Sequence, residues 1–353
     1  MQGLRVGRSR WQLYAVGNLP KLRVIGAPVN ARLGVAIVDD SAPAVSCAPA
    51  FGAACYTGFH VGGVTVEVAG DHASDLNLDP TLEPFRIESG RGDISIQVKW
   101  VDRLPKPRQR QLFDSGCVWR LYEKSAGFQF DFSVASLDGA SYKRLLVDER
   151  FRRASLLLSR EGFESCDTAI PLEYPLDELL IMHRLTQERA IELHGVGIVG
   201  PDGATNLFVG HSGAGKSTTA RLWTSLHKVE ILSDDRIIVR ESPARELQPG
   251  DDPRQIFMYG TPWHGEGCFA LPQRAPLHRV FVLEHGHGNL ITRLTRSQVV
   301  AELFARAFVP FHRHEYVDSA LSFLERVADS VPCYRYSFEP DERAVERVLN
   351  FRE

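Results

Sequence analysis

Eight residues, Gly210-His211-Ser212-Gly213-Ala214-Gly215-Lys216-Ser217, constrain this chain more than any other stretch. They match G-x-x-x-x-G-K-[ST], the Walker A spacing. Glycines at the two ends let the backbone turn tightly, so that successive N–H groups converge on one anion. A lysine after the last glycine reaches outer phosphates, and a following hydroxyl can hold Mg²⁺. The flanks fit this chemistry. Leu207-Phe208-Val209 predicts a buried strand, and Thr218 to Trp223 predicts a helix opening at the loop. A helix N-terminus adds the positive end of its dipole to the anion site. Gly210, His211, Ser212, Gly213, Ala214, Gly215, Lys216, Ser217 and Thr218 are therefore the candidate nucleotide-binding residues.

The surroundings bound what else the chain can be. Its 353 residues predict two domains, and a net charge of −3 gives no global field for nucleic acid or an anionic membrane. No run of 18 apolar residues predicts a membrane helix. The six cysteines, at 47, 55, 117, 166, 268 and 333, contain no C-x-x-C pair. They predict reduced thiols in a soluble, cytoplasmic protein, not a disulfide frame.

Residues 1–57 carry Arg5, Arg8, Arg10, Lys21, Arg23 and Arg32 before the first acid, Asp39. This segment lacks periodicity and predicts a poorly ordered extension or an over-long start, with an Arg-rich targeting peptide as the alternative. Residues 58–174 predict a β-rich domain. Val64 to Val68, Ile94 to Val98, Trp119 to Tyr122 and Phe128 to Phe132 alternate with period two, which predicts half-buried antiparallel strands. Lys106 to Arg110 reads as a solvated basic loop.

A third segment, 175–353, predicts a nucleotide-binding domain. A helix is expected from Pro175 to Leu185, with proline and acids in its first turn. Strands are expected at 191–199 and 207–209, antiparallel across the Gly200 to Gly203 turn, and the sheet is therefore mixed. Further strands are expected at 229–232, 236–240 and 280–283. Helices are expected at 298–308, 320–331 and 342–349, the last capped by Asp341. Phe304 to Phe308 with Phe311 reads as core packing.

Ser233-Asp234-Asp235 ends the strand after the loop. A phosphate site with Mg²⁺ needs a carboxylate near a strand end, on the metal or on its water. Transfer to a hydroxyl also needs a group that takes the hydroxyl proton. Two aspartates can divide these roles. His194 lies on the strand before the loop, where an imidazole can orient a carboxylate or phosphate. The Gly- and Pro-rich run Tyr259 to Gly267 can close over a substrate, and His264 and Glu266 in it are candidate ligands for a metal or substrate. His285, His287, His312 and His314 form two H-x-H pairs but lack a third and fourth ligand, and so read as non-metal histidines.

With these residues assembled, the second half resembles the HPr kinase/phosphorylase family, and more closely the HPr-kinase-like serine kinases around it. The family's His-Gly-Val strand, G-x-S-G-x-G-K-S loop and Asp-Asp-Arg strand are similar to His194-Gly195-Val196, Gly210 to Ser217 and Asp234-Asp235-Arg236, in the same order. A more distant likeness is to ATP-dependent phosphoenolpyruvate carboxykinase. The resemblance implies an α/β fold with a P-loop in a mixed sheet of that type, behind a β-rich antiparallel domain. It also implies ATP and Mg²⁺ as cofactors. Lys216 would bind phosphates, Ser217 would bind Mg²⁺ and Asp234 would be the base. Asp235 and His194 would support metal or base, and relatives are often multimers. His211 and Thr218 stand where HPr kinases usually carry Asp and Glu, and the family's downstream recognition signature gives way to Gly260 to Glu266. The expected activity is transfer of phosphate from ATP to a serine or similar hydroxyl of a protein, peptide or small molecule. The alternatives are a nucleotide-binding sensor of ATPase type and a carboxykinase-like small-molecule enzyme.

Overall fold

Residues 55–88, 92–133, 140–163, 169–247, 249 and 252–352 are described in the computed structural model of the protein. The fold is mixed α/β with two mixed sheets. Two compact units divide the chain. One takes in Gly58 and the described residues before it, Val66–Leu78 and Glu88–Pro171, and the other Phe59–Thr65, Asp79–Ile87 and Leu172–Glu353.

The first sheet is built from β1 (Cys55–Val61), β2 (Val64–Gly70), β3 (Arg86–Ile87), β4 (Ile94–Val101), β5 (Gln111–Asp114), β6 (Trp119–Lys124), β7 (Gly127–Ser133), β8 (Ser141–Val147) and β9 (Arg153–Ser159). Their order is β3-β1-β2-β4-β9-β8-β7-β6-β5. The meander from β5 to β9 is antiparallel, as the alternation suggests. The expectation of a purely antiparallel domain needs correction, because β4 runs parallel to both β2 and β9. Alternation reports which faces are buried, and strand direction depends on connections far apart in sequence. A second correction concerns β7, which is buried on both faces. Phe128, Phe130 and Phe132 fill one face. On the other, Arg144 grips Asp131 through Nε at 2.7 Å and Nη2 at 2.6 Å, while Gln129 Nε2 and Ser141 Oγ each donate to the same carboxylate at 2.9 Å. A buried charge is tolerable when paired and hydrogen-bonded in this way. The described strands begin at Cys55, so the last three residues of the expected extension belong to β1; the rest of it, 1–54, lies outside the described residues.

The second sheet carries the phosphate-loop motif. Its strands are β10 (Ala190–Val199), β11 (Thr205–Val209), β12 (Glu230–Ser233), β13 (Arg236–Glu241), β14 (Ile256–Tyr259), β15 (Arg274–Pro276), β16 (Arg279–His285), β17 (Leu290–Arg293), β18 (Ala307–Phe308) and β19 (Cys333–Phe338). The helices are α1 (Leu176–Leu185), α2 (Lys216–Leu226), α3 (Arg296–Phe304), α4 (His314–Ser330) and α5 (Glu342–Leu349). The main order is β15-β14-β13-β10-β11-β16-β19-β17, with β12 and β18 also paired to β10. β11 and β16, and β16 and β19, are parallel. Leu207 and Val209 of β11 pack in one core with α3 and α4, while Phe208 packs in the other with Trp223 of α2 and Val345 and Val348 of α5. Burial on both faces explains why β11 reads as an unbroken apolar run.

The helix expected over 298–308 is shorter than its pattern. α3 stops at Phe304, and Ala307–Phe308 instead pair with Leu193 and Glu192 of β10. Phe311 is half exposed and meets Phe304 edge-on, so it is not core.

β10 positions the site by changing partners midway. Ala190 to His194 pair with β13, in a register that sets His194 opposite Arg236. Gly195 to Val199 pair with β11, in a register that sets Gly195 opposite Val209, the residue before the loop. One strand therefore places His194, the Asp-Asp-Arg corner and the loop together.

Candidate active site

The loop's glycines are required by its packing. Gly213 and Gly215 adopt φ of +80° and +96°, where a side chain is strained. A Cβ on Gly210 would lie 2.7 Å from Ala214 Cβ, and one on Gly215 would lie 2.5 Å from the Phe338 ring. The Ala214 N–H closes the turn on the His211 carbonyl at 3.0 Å, and the His285 ring meets the Gly213 carbonyl at 2.7 Å through Nε2. Helix α2 opens at Lys216, with Gly215 at its N-cap.

Lys216 is buried, and its Nζ donates to the carbonyls of Gly210 and His211 at 2.9 and 3.0 Å. Burial pulls the ammonium down to about 8 against the opposing charge of Asp235, with Arg236 and Arg306 pushing the same way as burial. Ser217 and Thr218 are half-buried in the first turn of α2, and His211 and Ser212 are exposed.

The two adjacent aspartates have different surroundings. Asp234 is buried, and its Oδ1 and Oδ2 accept the backbone N–H groups of Gly265 and Gly267 at 2.8 and 2.7 Å. It anchors the Gly- and Pro-rich loop. Asp235 Oδ1 accepts from His194 Nε2 at 2.9 Å, and Oδ2 accepts from Arg236 Nη1. Burial alone would raise the Asp235 carboxyl. The His194 hydrogen bond and the charges of Arg236 and Lys216 outweigh it and hold the group below the usual range. His194 is itself lowered, chiefly by burial, with the Asp235 bond opposing. The imidazole is thus neutral and donates to an ionised carboxylate.

Arg236 links this pair to a buried acidic group. Its Nε lies 2.9 Å from Glu178 Oε1 and 3.4 Å from Glu192 Oε1, and its guanidinium stacks 4.1 Å over Phe308. Burial, then the neighbouring Glu178, drives Glu192 well above the carboxylate range. Asp177 is pushed up to about 7 by burial, and its Oδ2 accepts from Trp263 Nε1 at 2.7 Å. The first-turn acids of α1, expected to serve the helix start, are therefore buried partners of Arg236 and Trp263. Sequence reasoning missed Glu178, Glu192 and Trp263. The available signal was Arg236, because a buried arginine demands carboxylates.

Glu266 is exposed on its loop, and His264 Nδ1 meets the Gly265 carbonyl at 3.0 Å. His287 pairs with Glu339, and His312 packs against the buried His183. Among the described residues, no group of three or more His, Cys, Asp or Glu side chains could hold a metal ion. Mg²⁺ does not demand such a cage, since it is usually held by one or two protein oxygens, substrate phosphates and water. Ser217 at the helix start and the ionised Asp235 are donors of that kind. Among the described residues, no helix is long and apolar enough to cross a membrane.

No protein-family model matches the chain, and no curated protein matches it significantly.

Proposed function

We propose that the unit bearing the loop is an ATP- and Mg²⁺-dependent phosphotransferase with a nucleotide fold of the HPr kinase and carboxykinase type, acting on a hydroxyl acceptor such as serine. The observation that carries this reading is the Asp235 carboxylate, hydrogen-bonded to the neutral His194 and within electrostatic reach of Lys216.

The loop N–H groups and Lys216 would bind the phosphates, and Ser217 Oγ would hold the metal. Bound Mg²⁺ would neutralise phosphate oxygens as charge moves during transfer. Asp235 takes the acceptor's hydroxyl proton at a carboxylate oxygen. Its low pKa suits a loose transition state, which asks little basicity of the group that orients the nucleophile. His194 and Arg236 fix the carboxylate in place. Asp234 takes no proton in this scheme, because it is buried with its oxygens holding the Gly265–Gly267 backbone, whereas Asp235 is only half-buried and bonded to side chains. That loop keeps water from the attack position, which separates a kinase from an ATPase.

Incubation of the protein with γ-labelled ATP, Mg²⁺ and serine-bearing proteins, peptides and small alcohols, read by mass spectrometry, tests this. A phosphorylated hydroxyl is expected. Phosphate release without any labelled alcohol would identify an ATPase-type sensor instead.

A further inference from the structure

Arg306 lies between α3 and β18, and its carbonyl accepts the His194 N–H at 2.9 Å, extending the β10–β18 ladder by one rung. Its main chain is therefore bonded to the residue that orients Asp235. The side chain is 5% exposed. One nitrogen, Nη1, donates to Glu302 through both the backbone carbonyl and Oε2, each at 2.6 Å. Its Nε is buried and has no hydrogen-bond partner among the described residues. A buried donor without a partner costs about 1–3 kcal/mol, a cost that a new acceptor beside it would relieve.

The charge reaches the loop. Arg306 is a cause, after burial, of the lowered His211 imidazole, and it also depresses Lys216. Glu302 does not belong to Arg306 alone, because Arg335 Nη2 also reaches it, at 2.7 Å. Arg335 in turn leans on Glu284, its Nε 3.6 Å from Oε2, so each guanidinium has a carboxylate and the Arg306 Nε is the donor left over.

We propose that Arg306 contacts the terminal phosphate of a nucleoside triphosphate held by the loop, as an arginine supplied in cis. The inference rests on the phosphotransferase reading above. The terminal phosphate is indicated over the inner ones because Arg306 is fastened to the His194–Asp235 side, where the acceptor hydroxyl must sit. The inner phosphates are served by the loop's own N–H groups. A cis arginine there would neutralise charge on the group in flight.

Calorimetry on the full chain tests it, with Mg-ADP and with the Mg-bound β,γ-imido analogue of ATP as probes. In Arg306→Gln the triphosphate affinity is expected to fall about tenfold or more, the range for one charge-assisted bond, with ADP affinity unchanged. Arg306→Lys keeps a charge opposite Glu302 but not the fork, and is expected to fall between. Thermal unfolding is measured on both variants. Equal losses for the two nucleotides, no loss for either, or collapse of the fold in both variants would each overturn the proposal. Wild-type protein that binds neither nucleotide would overturn the phosphotransferase reading as well. Wild-type binding of both, without discrimination by Arg306→Gln, would overturn this inference alone.

Discussion

His194 Nε2 and Asp235 Oδ1 stand 2.9 Å apart because β10 and β13 pair in the register that sets His194 opposite Arg236. The same corner sends the neighbouring Asp234 side chain to the Gly265 and Gly267 N–H groups. The chain bends at both residues between β12 and β13, and the two side chains find different partners. Two identical side chains therefore acquire different jobs, one charged and oriented by a ring, the other closing a loop.

That division separates two substitutions that look equivalent in sequence. Asp235→Asn is expected to lower phosphotransfer about 10²–10⁴-fold while ATP still binds. Asp234→Asn loses one acceptor for the two loop N–H groups, and is expected to raise ATP hydrolysis relative to acceptor phosphorylation. Steady-state rates of both reactions check this. If Asp234→Asn alone abolished transfer with its loop still ordered, the roles assigned here would be reversed.

Lys216→Ala should weaken Mg-ATP binding, since each lost charge-assisted contact is worth about 1.5–3 kcal/mol. Titration calorimetry measures it directly. The same affinity in wild type and variant would remove the loop from the nucleotide site.

Gly215→Ala tests the loop's geometry apart from its charge. Its φ of +96° strains any side chain, and the new Cβ would meet the Phe338 ring at 2.5 Å. A destabilisation of about 1–3 kcal/mol is expected from chemical denaturation. Shortening Phe338 to Leu in the same chain should recover the steric part and leave the backbone part. An unchanged midpoint in Gly215→Ala would mean that the loop does not hold this conformation in solution.

Local chemistry was the legible part of this chain. The strand Leu207 to Val209, the loop, the helix that follows and the limits of α5 are all written in neighbouring residues, because turns, caps and periodicity are short-range. What stayed hidden needed partners far away in sequence. Parallel pairing of β4 with β2 and β9 is of that kind. So is the short β18, which ends a helical pattern early because β10 offers a ladder for Ala307 and Phe308. In the site, the Asp-Asp motif could be found but not divided, since nothing near Asp234 announces the Gly265 and Gly267 N–H groups. Glu178 and Asp177 looked like ordinary first-turn acids, and only the fold buries them beside Arg236 and Trp263.

Asp177 gives that burial a measurable consequence. Its carboxyl is pushed up to about 7, first by burial, with the Trp263 hydrogen bond opposing. Below about pH 4 the group carries its proton in both the folded and the unfolded chain. Between there and about 7 the unfolded chain releases the proton while the folded chain keeps it. Unfolding is then favoured further with each pH unit. Near pH 8 the whole loss has accrued, as much as about 4 kcal/mol for this one group. His194 and Asp235 act the other way, since both are lowered in the fold and cost stability as the pH falls. Asp177→Asn isolates the first effect. The amide oxygen can still accept from Trp263 Nε1, and the side chain no longer titrates. Its melting temperature is expected to exceed that of the wild type at pH 8, with the gap closing toward pH 4. Thermal melts of the two proteins across that range decide it. A gap that stays constant with pH, or an Asn variant that melts lower at pH 8, would show that Asp177 is ionised in the folded protein and that its surroundings stabilise the charge.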